Sequence, residues 1–182
     1  SGSDLIASFN GTDTVNGLAG NDKILGGAGG DTLNGGDDND HIYGYAGADT
    51  LNGNAGNDLI YGGKDNDTID GDAGDDSLYG EAGDDNITSG AGNDTLDGGL
   101  GNDDIIIDAA GNKTIDGSAG SDTLVINYSG ISNLSDFTVS ASGDYTVLTD
   151  SNGNTIQYKN IESLVVGSFT YINDTSSKSF YN

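Results

Sequence analysis

The apolar positions of this chain follow neither the 3.6-residue period of a helix nor the long alternation of an ordinary strand. An aliphatic recurs every nine residues, at Ile6, Val15, Ile24, Leu33, Ile42, Leu51, Ile60, Ile69, Leu78, Ile87, Leu96 and Ile105. Its immediate neighbours are mostly polar, so each aliphatic predicts a three-residue strand with one side chain inward and two outward. The other six residues are glycine-rich, as in Gly26-Gly27-Ala28-Gly29-Gly30-Asp31-Thr32-Leu33-Asn34, and predict a turn. A fixed period of this kind is the sign of a solenoid, whose repeats bury a continuous core only by stacking. Two nonapeptides make one 18-residue coil with a strand on each of two facing sheets, and coils stack at the ~4.8 Å strand spacing. The expected fold is therefore all-β, a two-sheet β-solenoid of about seven coils. A one-residue slip near Ile107 precedes the last repeats, Gly111–Lys113–Ile115 and Gly120–Asp122–Leu124.

Two residues before each aliphatic stands an aspartate: Asp4, Asp13, Asp22, Asp31, Asp40, Asp49, Asp58, Asp67, Asp76, Asp85, Asp94 and Asp103, then Asp122 after the slip. Glycine precedes each of the first twelve by two residues, except where Asp38 and Asp65 intrude. In an 18-residue coil these aspartates form two columns. Asp4, Asp22, Asp40, Asp58, Asp76 and Asp94 stack on one side. Asp13, Asp31, Asp49, Asp67, Asp85 and Asp103 stack on the other, with Asp122 closing that column. Stacking sets like carboxylates ~5 Å apart, a repulsion near ~3 kcal/mol per neighbour at an effective dielectric of ~20. A cation between turns reverses the sign. All-oxygen donors select a hard ion, and a flexible set of carboxylates and carbonyls suits calcium better than magnesium. The two columns predict about ten calcium ions. Residues 1–125 carry 25 acids and three lysines, a charge of −22 that ten divalent ions nearly balance. Lys113 takes the column position after Asp94, either as an ammonium ending the column or as a degenerate repeat.

Composition alone points elsewhere. The chain has 182 residues, 32 of them glycine, and 30 acids against five lysines, for a net charge of −25. Such a composition ordinarily means disorder, and it is the periodicity that argues against it. With no cysteine there are no disulfides and no thiolate sites. The acidity argues against nucleic acid or anionic membrane as partners, and no apolar run approaches the ~20 residues of a membrane helix. The absence of methionine reads as a processed product or an excised piece.

The repeat GGxGxDxUx (U aliphatic), over about residues 1–125, resembles the hemolysin-type calcium-binding repeat of RTX proteins. That resemblance implies a parallel β-roll with calcium held between adjacent turns by the aspartate carboxylates and turn carbonyls. It also implies a secreted or cell-surface bacterial protein that stays unfolded at low cytosolic calcium and folds outside.

Other motifs are weaker. The acid pairs Asp75-Asp76, Asp84-Asp85 and Asp103-Asp104 each contain a repeat aspartate, which outweighs a glycosidase reading. His41, the single histidine, falls on an outward strand position, and no nucleophile–base–orienter set can be built, so no catalysis is expected. Tyr43, Tyr61 and Tyr79 recur at 18-residue intervals, either as a cross-strand stack or as a contact face for a second copy or a surface polysaccharide. The N-terminal edge of the first coil is a second candidate for self-association, as in a surface-layer or fibre subunit. Residues 126–182 lose the repeat. Alternating runs at Phe137–Ala141, Tyr145–Thr149, Thr155–Tyr158 and Leu164–Ile172 predict a small antiparallel β cap. The organisation expected is a roll over 1–125 and a cap over 126–182.

Overall fold

The computed structural model describes residues 2–174 and 179–181. Strands alternate between two sheets along the chain. They begin with β1 (Leu5–Asn10), β2 (Thr14–Ala19), β3 (Lys23–Ala28), β4 (Thr32–Asp37), β5 (His41–Ala46), β6 (Thr50–Ala55) and β7 (Leu59–Lys64). They continue as β8 (Thr68–Asp70), β9 (Ser77–Ala82), β10 (Asn86–Thr88), β11 (Thr95–Leu100), β12 (Asp104–Ile107), β13 (Lys113–Ala119) and β14 (Thr123–Ile126). Odd strands pair in parallel to form one sheet and even strands form the other. This is the parallel β-roll expected. Partners lie 18 residues apart, as in Ile24↔Ile42↔Ile60. The slip widens the step to 19 at Leu96↔Ile115 and Ile105↔Leu124. Each repeat aliphatic from Ile24 to Leu124 is buried between the sheets, whereas Ile6 and Val15 in the first coil are only partly covered.

The strands are longer than expected. Most are six residues, not three, and the turn shrinks to three, such as Gly29-Gly30-Asp31. The reason lies at the fifth strand position, where φ is positive (Gly27 111°, Tyr45 77°, Gly63 123°). The chain bends there, but every coil bends in register, so the ladder continues through the bend at Gly27↔Tyr45↔Gly63. Glycine suits this position because a Cβ at Gly27 would overlap the Phe9 carbonyl oxygen of the preceding coil. Asp38 and Asp65, the two breaks in the glycine pattern, also have positive φ (77° and 74°, against 119° at Gly29 and 142° at Gly56), in the left-handed region that aspartate tolerates better than most residues.

Beyond β14 a 3-10 turn (Leu134–Asp136) leads to β15 (Thr138–Ser142), β16 (Tyr145–Thr149), β17 (Thr155–Lys159), β18 (Ser163–Val166), β19 (Phe169–Asp174) and β20 (Ser179–Tyr181). Antiparallel pairing is found as expected within β15-β16-β17; the single run expected over Leu164–Ile172 instead divides into β18 and β19, which pair antiparallel, and β20, which no run predicted, pairs with β19. Two of these strands also do something the sequence reading did not anticipate. β17 lies parallel to β13, and β18 parallel to β14, so together they form one more coil built from non-repeat sequence. Ile156, Tyr158, Leu164 and Val166 carry the core into it. Among the described residues no helix is long and apolar enough to cross a membrane.

Candidate metal sites between the coils

The two aspartate columns form as the 18-residue spacing requires, and each carboxylate divides its oxygens between two tasks. One oxygen, Oδ1, accepts the backbone N–H of the aspartate one coil earlier. Asp22 N–H donates to Asp40 at 2.7 Å, Asp49 to Asp67 at 2.8 Å and Asp103 to Asp122 at 2.9 Å. The same bond runs from Asp4 to Asp22, Asp40 to Asp58, Asp58 to Asp76 and Asp76 to Asp94 on one side. On the other it runs from Asp13 to Asp31, Asp31 to Asp49, Asp67 to Asp85 and Asp85 to Asp103. The second oxygen points into a gap between turns. In Asp13, Asp22, Asp31, Asp40, Asp49, Asp58, Asp67, Asp76, Asp85, Asp103 and Asp122, Oδ2 is buried and has no hydrogen-bond partner. Asp4, at the open end of its column, is exposed.

A row of buried, unpartnered carboxylate oxygens is costly unless something positive faces it. The glycines show what lines that gap. A Cβ at Gly26 would stand 2.7 Å from Asp31 Oδ2 and 2.9 Å from the Gly44 carbonyl oxygen; one at Gly71 would stand 2.6 Å from Asp76 Oδ2 and 2.8 Å from the Ser89 carbonyl. Carboxylate oxygen and next-turn carbonyl therefore border the same hollow, which any larger residue would fill. The donor set is all oxygen, carboxylate plus main chain, and it fits calcium. Among the described residues no three acidic or histidine side chains converge on one point, so an ion in this gap would need main-chain oxygens to complete its set.

Electrostatics agree with the geometry. Burial pushes the Asp58 and Asp85 carboxyls up to about 6, and those of Asp67 and Asp76 up to about 7. The backbone N–H bonds pull the other way, and neighbouring aspartates in the column add repulsion. Asp40, Asp49 and Asp103 are raised for the same first reason, burial. Asp122, raised by burial to about 6, feels both Asp103 and Glu162.

Lys113 settles the alternative left open by its position. Its side chain is buried, and its ammonium pairs with Asp94 Oδ2 while donating to the Gly90 carbonyl at 2.7 Å and the Gly92 carbonyl at 3.0 Å. A positive charge thus sits among two turn carbonyls and the very oxygen that elsewhere is left unpartnered. Burial still raises the Asp94 carboxyl, against the lowering effect of the lysine.

Two residues that the sequence reading missed join the second column. Glu162 Oε2 accepts the Asp122 N–H at 2.9 Å, as an aspartate of the next repeat would. Asn160, with φ 52°, brings its carbonyl against Gly117. A faint signal was present for Glu162 alone: Glu162-x-Leu164 keeps the acid-x-aliphatic spacing, whereas Asn160, only two residues before it, takes the place of the glycine that stands five residues before a repeat aspartate.

The remaining candidates resolve as follows. The non-column members of two acid pairs, Asp75 and Asp84, accept the backbone N–H of Asn93 (2.8 Å) and Asn102 (2.7 Å) on the exposed side of the turns. His41 is exposed at the start of β5. Tyr43, Tyr61 and Tyr79 stack with centroids 5.2 and 4.8 Å apart and planes within 11° of parallel, and Lys23 Nζ lies 5.0 Å over the outer face of Tyr43. The ring faces are turned on one another, leaving edges outward. Beside them Tyr45 and Glu81 help line a shallow hollow of about 230 Å³, with Tyr43 and Tyr61.

Comparison with known proteins bears on the same residues. The AlgE6R3 subunit from the Azotobacter vinelandii mannuronan C5-epimerase is 28% identical, with a TM-score of 0.43, over 57% of this chain and 70% of that one. Extracellular lipase LipA from Serratia marcescens is 17% identical, with a TM-score of 0.33, over 80% of this chain, which spans 40% of the lipase. No curated protein matches at a significant level. The RTX calcium-binding nonapeptide repeat (4 copies) matches residues 1–24, 8–42, 43–78, 70–105 and 103–125, more than half of the chain. With its paired columns and turn cradles, the chain belongs to the RTX calcium-binding nonapeptide-repeat family.

Proposed function

We propose that this calcium-binding structural module serves a protein secreted from a bacterium, and that its roll forms when calcium enters the columns outside the cell. The observation that carries this reading is the row of buried, unpartnered Oδ2 atoms from Asp13 to Asp122. Asp4, Asp13, Asp22, Asp31, Asp40, Asp49, Asp58, Asp67, Asp76, Asp85, Asp103 and Asp122 supply the carboxylates, Asp94 having its Oδ2 taken by Lys113, and turn carbonyls such as those of Gly44 and Ser89 supply the rest. About ten ions occupy the gaps. Calcium there supplies charge neutralisation and links one coil to the next. The chain's own contribution is the spacing, the hydrogen bond that fixes each Oδ1, and the glycine that leaves room for the ion. Binding and folding are then one event, because the unfolded chain holds no preformed set of donors. In our reading the chain has no catalysis of its own. Circular dichroism with calcium and with chelator tests the proposal: β signal should appear with calcium and vanish with chelator. A β-rich chelated chain at neutral pH would sink it.

A second reading, a self-assembling surface or fibre subunit, draws on the first coil. Leu5, Phe9 and Leu18 are each at least two-thirds exposed there, along β1 and β2. Light scattering in calcium at rising concentration decides it, since a monomer throughout would remove this reading. A polysaccharide platform has less support, because sugar stacking needs open ring faces and those of Tyr61 are covered on both sides.

A further inference from the structure

The second column does not stop at the last repeat, and we infer that Asp122, Glu162 and the Asn160 carbonyl form an additional calcium site that locks the C-terminal segment onto the roll. It rests on the calcium reading above, since it uses the same donor chemistry, but it reaches beyond the repeat sequence, joining the last repeat aspartate, Asp122, to two residues no repeat supplies.

Asp122 behaves like every interior column aspartate. Its Oδ1 takes the Asp103 N–H, while its Oδ2 is unpartnered on a residue 1% exposed. In the repeats the oxygen facing such an Oδ2 is a carbonyl of the next coil, as Gly44 faces Asp31 beside Gly26. Beside Gly117 the pattern recurs. A Cβ there would stand 2.7 Å from Asp122 Oδ2 and would overlap the Asn160 carbonyl oxygen. Asn160 therefore holds its carbonyl where a repeat glycine would, and its left-handed φ of 52° is one that asparagine tolerates.

The next carboxylate is also replaced. Glu162 takes the Asp122 N–H, Ser163 and Glu162 N–H both return to the Asp122 carbonyl, and Thr123 and Ser163 are in register on β14 and β18. On the Asp122 side the residue spacing is also that of the other column's end. Ser118 and Gly120 stand four and two residues before Asp122, the positions from which Gly90 and Gly92 present carbonyls to the Lys113 ammonium beside Asp94. At the first column's end the protein places a lysine in such a set; at the second column's end it places another acid. Two facing carboxylates with an unpartnered buried oxygen between them call for a cation where Lys113 is a cation already.

Native mass spectrometry of the full chain in calcium, compared with Glu162→Gln, tests this. Glutamine keeps an oxygen for the Asp122 N–H but removes the charge, so the variant should fold and hold one ion fewer than the parent. Equal ion counts would overturn the site, leaving Glu162 as a hydrogen-bond acceptor only. A parent chain that binds no calcium at all would instead overturn the function proposed for the columns, and this site with them. If the variant does not fold, anomalous diffraction from lanthanide-soaked crystals of the parent decides: a peak between Asp122 and Glu162 supports the site, and no peak there, with peaks elsewhere in the column, overturns it.

Discussion

At the scale of single residues, two positions separate the carboxylates' role from that of the space around them. Gly26 has no side chain, and the hollow beside it is bordered by Asp31 Oδ2 and the Gly44 carbonyl. Gly26→Ala should put a methyl into that hollow and cost one ion by native mass spectrometry, with every carboxylate still present. An unchanged ion count would mean the hollow is not where the metal sits. Lys113 is the converse case. Its ammonium satisfies Asp94 Oδ2 and two carbonyls, so Lys113→Asp should turn a filled position into an empty one with the donors of its neighbours. The variant should hold one calcium more than the parent. A variant with the parent's ion count would show that Lys113 ends the column for a reason other than charge.

At the scale of strands, stability in a stacked array is a sum of coil-to-coil interfaces, so a core residue matters according to how many interfaces it serves. Ile60 on β7 is fully buried between β5 and β9, whereas Ile6 on β1 has a neighbouring coil on one side only. Ile60→Ala should cost about 2–5 kcal/mol in urea unfolding at saturating calcium, and Ile6→Ala clearly less. Equal losses would contradict nearest-neighbour additivity. The strand pairing behind this prediction was legible in the sequence, because an aspartate and an aliphatic at constant spacing leave one consistent register. The strand lengths were not. The period reveals which residue is inward but not that a bend shared by every coil keeps its hydrogen bonds, as at Gly27↔Tyr45↔Gly63. Nor was the parallel docking of β17 and β18 legible. Alternation in Thr155–Tyr158 and Leu164–Ile172 announces strands but says nothing about which edge they join, and only the core residues Tyr158 and Leu164, stacked on Ile115 and Leu124, decide that. Glu162 was missed for a related reason: a carboxylate one methylene longer, in a turn without glycine, breaks the residue pattern while preserving the place of its oxygen.

At the scale of the whole molecule, the columns make pH and calcium act against each other, and the sign of the effect depends on whether the ion is present. Without a cation, burial raises the carboxyls of Asp58, Asp85 and Asp122 to about 6 and those of Asp67 and Asp76 to about 7, all above the ordinary carboxylate value of 3.8. The folded chain then binds more protons than the unfolded chain across the interval from 3.8 up to these values. By linkage, the stability these groups contribute is fully present below the lower value and is lost as pH rises through about 6 to 7. Protons thus do in part what calcium does, removing the repulsion along each column. In chelator, lowering the pH from about 7.5 to about 5 should increase β structure by circular dichroism. With calcium bound, the same carboxylates hold the metal only when ionised, so the same acid shift should release ions and lower the unfolding midpoint. Opposite responses in the two solutions are the signature of one set of carboxylates serving both ions. If acid destabilised the chelated chain as well, the buried columns could not be the groups that respond.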